Sequence, residues 1–144
     1  MDLKEARIKA MNLLARREHS AHELVQKLAR KGLLLEDADA LITTLRSDRL
    51  QSDERYAEAQ VRVGVSKGHG PIRIAQHLKQ HQIDEQLISQ LLYEQSIDWF
   101  EQARLVKTKR FGEALPEAFQ DKAKQQRFLQ YRGFSSDHIA SVYS

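Results

Sequence analysis

Residues 24–45 read LVQKLARKGLLLEDADALITTL, residues 74–91 read IAQHLKQHQIDEQLISQL, and residues 129–142 read LQYRGFSSDHIASV. The three stretches carry one pattern. Leu24, Leu28, Gly32, Leu33, Ile42 and Leu45 find counterparts in Ile74, Leu78, Gln82, Ile83, Ile88 and Leu91, and again in Leu129, Gly133, Phe134, Ile139 and Val142. Leu28, Leu78 and Leu129 are 50 and 51 residues apart. In each copy a helix-ending position follows four residues later, then one apolar residue, then a second apolar-periodic stretch. A period of roughly 50 residues marks a supersecondary unit used repeatedly. Chains of such units expose extended surfaces and enclose no deep pocket, so they favour binding other macromolecules over catalysis.

Each copy is preceded by a further helical stretch, giving three helices per unit. Leu3 to Arg17 carries Ile8, Met11, Leu14 and Ala15 along one side. Ser20 with Glu23 spells a capping box that opens the next helix, which closes at Lys31-Gly32. The third runs from Asp37 to Asp48. In the second unit Ser52 or Asp53 caps a helix striped by Tyr56, Ala57, Val61 and Val65. Lys67-Gly68-His69-Gly70 breaks it, and Pro71 restarts a helix where a missing amide costs nothing. In the third, Trp99, Ala103, Leu105, Val106 and Phe111 form a helix ended by Gly112. Phe119 to Arg132 follows, then a short helix capped by Ser135 or Ser136. Few Gly and Pro breakers and little β-type alternation complete an all-α reading. The units fall at residues 1–50, 51–96 and 97–144, with no Pro/Gly/Ser-rich linker between them. From Gly32 to Ile42 there are ten residues, against six from Gln82 to Ile88 and from Gly133 to Ile139. The first corner is therefore expected to be a helical turn longer.

The chain has 144 residues, 41% hydrophobic, 30% charged and 7% aromatic, which suits several small cores. There is no cysteine, which excludes disulfides and thiolate metal sites. The first residues lack a signal-peptide core, and no stretch approaches a membrane span; a cytoplasmic protein is expected. Net charge is +3, made up of +2, −1 and +2 over the three units. In the last unit the cations cluster: Arg104, Lys107, Lys109 and Arg110 run without an acid, as do Lys122, Lys124, Arg127 and Arg132. Lys107 and Arg110 fall on one helix face with Arg104 in line. Such clusters seek phosphate or an acidic protein surface.

Other constellations are weaker. His77 and His81 lie at metal-ligand spacing, yet no third ligand accompanies them. Gly68-His69-Gly70 lacks the rest of a phosphate-binding loop and follows a helix where such loops follow strands; the amides of the helix after Pro71 are the remaining phosphate candidate there. No serine sits in a nucleophile elbow, and the pairs Asp53-Glu54 and Glu36-Asp37 flank helix starts, where the dipole favours them. No catalytic residue, metal or cofactor is expected. Trp99, Tyr56, Phe128 and Phe134 read as core.

These residues also carry a family resemblance. Arg17-Glu18-His19-Ser20-Ala21-His22-Glu23-Leu24 resembles the R-[DE]-[HR]-S-x-x-E-L opening of the RecX regulatory proteins. Asp53-Glu54-Arg55-Tyr56-Ala57 is similar to their D-x-R-[FY]-[AV], and Lys67-Gly68-His69-Gly70-Pro71-Ile72-Arg73-Ile74 to K-G-x-G-P-x-[RK]-I. Asp98-Trp99 with Lys109-Arg110-Phe111-Gly112 resembles the opening of their third unit. Lys122-x-Lys124-x-x-Arg127-Phe128-Leu129-x-x-Arg132-Gly133-Phe134 resembles its close. The resemblance implies three tandem three-helix repeats forming an elongated, curved molecule. It implies a monomeric cytoplasmic modulator of the RecA recombinase, mostly negative, that lies in the groove of the RecA–single-stranded DNA filament and suppresses ATP hydrolysis and strand exchange, and with them recombination, DNA repair and the SOS response. Against that background Arg104, Lys107, Lys109, Arg110, Lys122, Lys124, Arg127 and Arg132 become candidates to touch the filament, whether its protein or its DNA. Arg62 and Lys67 in the middle unit and Arg17 in the first join them. The competing expectation is a helical nucleic-acid-binding protein that acts without RecA.

Overall fold

A computed structural model describes all 144 residues as nine helices and no strand: α1 (Leu3–Arg16), α2 (Ala21–Ala29), α3 (Leu35–Ser47), α4 (Asp53–Ser66), α5 (Pro71–Gln80), α6 (Glu85–Tyr93), α7 (Trp99–Phe111), α8 (Phe119–Tyr131) and α9 (Ser136–Val142). In each set of three, the first helix packs against the third. No helix is long and apolar enough to cross a membrane.

The helix boundaries follow local chemistry. Ser20 accepts from the Glu23 amide while the Glu23 carboxylate accepts from the Ser20 amide, the two halves of the capping box. Ser52, Asp98 and Ser135 cap α4, α7 and α9 through the amide three residues on. Pro71 opens α5. The repeated corner is one backbone motif written three times. Leu33, Ile83 and Phe134 donate to the carbonyls of Leu28, Leu78 and Leu129 at 3.0, 3.1 and 3.2 Å, and the residue before each is left-handed: Gly32 at φ 112°, Gln82 at 57° and Gly133 at 98°. Gly32, Gln82 and Gly133 donate in turn to the carbonyls of Ala29, Lys79 and Gln130 at 3.1, 3.0 and 3.0 Å, and this pair of bonds closes a helix C-terminus and satisfies its last carbonyls.

Two expectations change. The extra turn of the first unit does not lengthen its corner. The link between α2 and α3 exceeds its two counterparts by a single residue, and the surplus extends α3 to 13 residues against 9 in α6 and 7 in α9. In α1 the inward face is Ala6 and Ala10, both fully buried, with Leu13 and Leu14 packed partly against them. Ile8, 54% exposed, and Met11 face outward. Small alanines let α1 approach its neighbours closely, which a stripe chosen by side-chain size misses.

All the buried hydrophobic residues except Ala38 fall into two clusters. Seven belong to α1–α3 and the turn before α3, centred on Leu24, Leu28, Leu41 and Leu45. Thirteen others, from Tyr56 to Ile139, form one core that runs through both the second and third units. Dividing the interior raises the exposed surface: 9185 Å² against the roughly 7,600 Å² expected for a compact protein of this mass.

Candidate nucleic-acid or filament interface

The cationic surface is positioned by the contact between two corners. Gly70 donates its amide to the Arg132 carbonyl at 2.8 Å, and Ile72 donates to the Gly133 carbonyl at 2.9 Å. A Cβ on Gly70 would stand 2.5 Å from the Gly133 carbonyl, and one on Gly133 would stand 2.6 Å from the Arg73 amide nitrogen. Both glycines are required because backbone meets backbone here. The α5 N-terminus, a phosphate candidate from sequence, therefore has its Ile72 amide engaged by another unit's carbonyl. Arg132 reaches back across the joint, donating from Nη1 to the Lys67 carbonyl at 2.8 Å.

Around this joint the chain leaves cations without acids. A groove of about 280 Å³ between α4, α7 and α8 is lined by Lys67, Lys109, Arg110 and Arg132, with Val106 and Phe128 as its apolar floor. A second, of about 250 Å³, shares Lys67 and adds His69, Arg73 and His77. No carboxylate lines either one. The Arg132 and Arg110 guanidinium carbons stand 4.8 and 5.6 Å from the Phe128 ring centre, and Phe111 meets the same ring edge-on at 5.3 Å. The ring orients the guanidinium planes while leaving their charge available. The accumulation of charge registers on His69: burial first, then Arg73, Arg132 and Lys67, hold its pKa below the ordinary histidine value.

The other sequence candidates divide. Arg104 is exposed and forms a fork with Glu101 at 2.8 and 2.5 Å. Arg17 forms another with the buried Glu23 at 3.0 and 2.7 Å. Lys122 and Lys124 are exposed on α8, and Arg62 on α4, none with an ion pair. Arg127 borders a wider hollow floored by Ile72, Ala123, Phe134 and Ile139. Lys107 is a correction. It does not share an exposed face with Arg110: it is 2% exposed, and its Nζ donates to the carbonyls of Gly112 and Ala114 at 2.5 and 2.9 Å. Trp99, Ala103 and Lys107 form the inward row of α7 at four-residue spacing. The lysine stem lies in the interior while its ammonium satisfies carbonyls beyond the helix end.

Arg73 and His69 were missed as candidates, although both lie in the quoted corner motif. Only the docking of that corner onto Gly133 reveals that they join cations from the third unit. Phe128 is half-buried and floors the groove, where the sequence suggested simple core. His77 and His81 stack edge-to-face with ring centres 4.8 Å apart, beside Tyr56, and no group of three metal-ligating side chains occurs in the structure.

Comparison with known proteins bears on the whole chain. Family models described as the first, second and third three-helix domains of RecX match residues 6–45, 52–92 and 96–143. A protein named Regulatory protein RecX from Vibrio campbellii is 44% identical over 135 residues, 94% of this chain and 87% of that protein. Another of the same name from Halorhodospira halophila is 41% identical over 133 residues, covering 92% and 83%. A crystal structure of regulatory protein RecX superposes with a TM-score of 0.83 at 26% identity, covering 97% of this chain and 72% of the other. That of RecX from Lactobacillus salivarius superposes at 0.80 with 22% identity, covering 97% and 93%, a likeness of fold. With three domain models in order and relatives above 40% identity along nearly their full length, the chain belongs to the RecX family of regulatory proteins.

Proposed function

We propose that this protein is a negative modulator of RecA that acts in the cytoplasm by occupying the groove of the RecA–single-stranded DNA filament, slowing ATP hydrolysis and strand exchange. It acts by occupancy as a monomer and performs no catalysis. Family membership supports the RecA connection. The observation that carries the mode of action is the acid-free cationic surface around Lys67, Lys109, Arg110 and Arg132, which is suited to a polyanionic partner. A chain of three units touching successive subunits gains affinity by multivalency, and complementary charge speeds encounter. The test is RecA-dependent ATP hydrolysis on single-stranded DNA as the protein is titrated in. A fall at substoichiometric protein, weakened by added salt, is the expected result. An unchanged rate, with no retention of the protein by sedimented filaments, would overturn the proposal.

A further inference from the structure

The groove between the second and third units has features that a protein-binding patch does not require. Its four cations, Lys67, Lys109, Arg110 and Arg132, have no ion-pair partner, and its floor is aromatic and aliphatic, Phe128 and Val106. It continues past Lys67 into a second acid-free groove bearing Arg73 and His69, so charge runs along a track and does not converge on one point. An acidic protein face would answer the charge and leave the guanidinium planes over Phe128 without a role. An open nucleic-acid strand answers both, with regularly spaced phosphates for the cations and unstacked bases for the flat guanidinium and aromatic surfaces. A duplex offers phosphates alone, since the faces of its bases are stacked on one another and unavailable to a guanidinium or a ring.

We propose that this two-groove track holds the sugar–phosphate backbone of a single DNA strand, with Lys67, Lys109, Arg110 and Arg132 on successive phosphates and a base against the Arg132–Phe128 stack. The inference rests on the filament reading above and assigns the DNA contact within it. It leaves Lys122 and Lys124, exposed on α8, outside the track.

Lys67, Lys109 and Arg110 make no side-chain hydrogen bond or ion pair within the protein, and Arg110 only stacks on Phe111 and Phe128, so neutralising them removes charge without stranding a hydrogen-bond partner. Arg132 is kept, because it holds the Lys67 carbonyl. The variant is therefore Lys67→Gln, Lys109→Gln, Arg110→Gln, checked for unchanged helicity. A control carries Lys122→Gln and Lys124→Gln. Binding of a fluorescein-labelled oligothymidylate is measured by anisotropy across a salt series without RecA. Each phosphate contact on a single strand adds about 0.7 to the slope of log affinity against log salt. The wild type is expected near a slope of about 3, the groove variant lower by about 2, and the control unchanged. An unlabelled duplex of equal length is expected to compete more weakly than the single strand.

Equal slopes for wild type and groove variant would overturn the assignment, as would equal competition by duplex. If the wild type ignores the oligonucleotide while the groove variant loses its hold on RecA filaments, the groove belongs to a protein contact: the strand assignment fails and the filament reading stands. Groove-dependent oligonucleotide binding with no effect on RecA ATP hydrolysis keeps the strand track and removes the filament reading.

Discussion

The two joints of this chain are built from opposite materials. Between the first and second units the contact is polar and largely buried: His19, Ser20, Glu23 and Gln51 are all inside. Asp53 accepts from the Ala21 amide and from Gln51 Nε2, each at 2.9 Å, with Arg46 at 3.4 Å. Gln51 also donates to the His19 carbonyl at 3.2 Å, and Arg55 spans the joint to Glu18 at 3.0 Å. Between the second and third units one apolar core runs straight through, sealed by Gly70 against Gly133 and by Trp99 donating to the Leu92 carbonyl at 2.7 Å. The use of charge follows. At the first joint Arg17, Arg46 and Arg55 are consumed by carboxylates. At the second joint an apolar core and hydrogen bonds to backbone carbonyls suffice without an ion pair, and Lys67, Lys109, Arg110 and Arg132 are left without a carboxylate. A count of basic residues per unit, ten, five and eight, ranks the first unit highest. Ion pairing does not follow that count: four of the first unit's ten are paired with carboxylates, and only Arg104 of the third unit's eight.

The second joint breaks most sharply at Gly133. Gly133→Ala places a Cβ against the Arg73 backbone at a left-handed φ of 98°. Overpacking and positive φ together cost about 3 kcal/mol or more, read as a lower urea midpoint by circular dichroism. Amide exchange in α4–α9 is expected to accelerate while α1–α3 keeps its protection. Acceleration through all nine helices would show that the two cores do not unfold separately.

The first joint breaks at Asp53. Asp53→Ala strands the Ala21 amide and the Gln51 side chain in a partly buried setting, for about 2 kcal/mol. Asp53→Asn, which keeps an acceptor, is expected to recover most of it. An equal loss in both variants would locate the stabilisation in charge and not in hydrogen bonding. Acid is the second lever here. Burial raises the Glu23 pKa, but the hydrogen bonds and charge of Arg17 outweigh it and hold the carboxyl below its ordinary value. Burial lowers His19, whose Nδ1 donates to the Arg17 carbonyl while Nε2 accepts from Lys27 at 2.8 Å. A second proton on that ring would face an ammonium. Both folded pKa values are depressed, so both groups contribute stability above their unfolded values that is lost as pH falls through the folded ones. Protection of α1–α3 should therefore decline first below the ordinary histidine range, and again below the ordinary carboxylate range. His19→Gln should remove the first step. A pH profile of that variant identical to wild type would exclude His19.

What could be read from sequence was whatever neighbours in the chain decide. The Ser20–Glu23 box, the Pro71 start and the glycine corners are settled within five residues, and all appear where their spacing put them. What could not be read was decided by contact between units. Ala6 and Ala10 look like filler until α1 has to approach α3 closely. Lys107 looks like part of an exposed cluster until Trp99 and Ala103 fix which side of α7 faces in. Arg73 looks solitary until its corner docks beside Arg132. The cationic groove exists only in the folded arrangement, because its residues come from three helices belonging to two units.

The smallest effect tests whether the repeated corner is one motif under one constraint. Gly32 and Gly133 take the left-handed position at no steric cost, whereas Gln82 takes it at φ 57° with a side chain. A non-glycine residue there carries about 1–2 kcal/mol of strain, and glycine gives back part of that gain through the flexibility it adds to the unfolded chain. Gln82→Gly is thus expected to stabilise the protein by about 0.5–1 kcal/mol. Because Gln82 is exposed at the corner that leads Ile83 into the core shared by the second and third units, the gain should appear as slower exchange in α4–α9 and leave α1–α3 unchanged. A loss of stability would mean that the Gln82 side chain contributes more than its backbone costs, and that the three corners share a hydrogen-bond pattern without sharing an energetic reason for it.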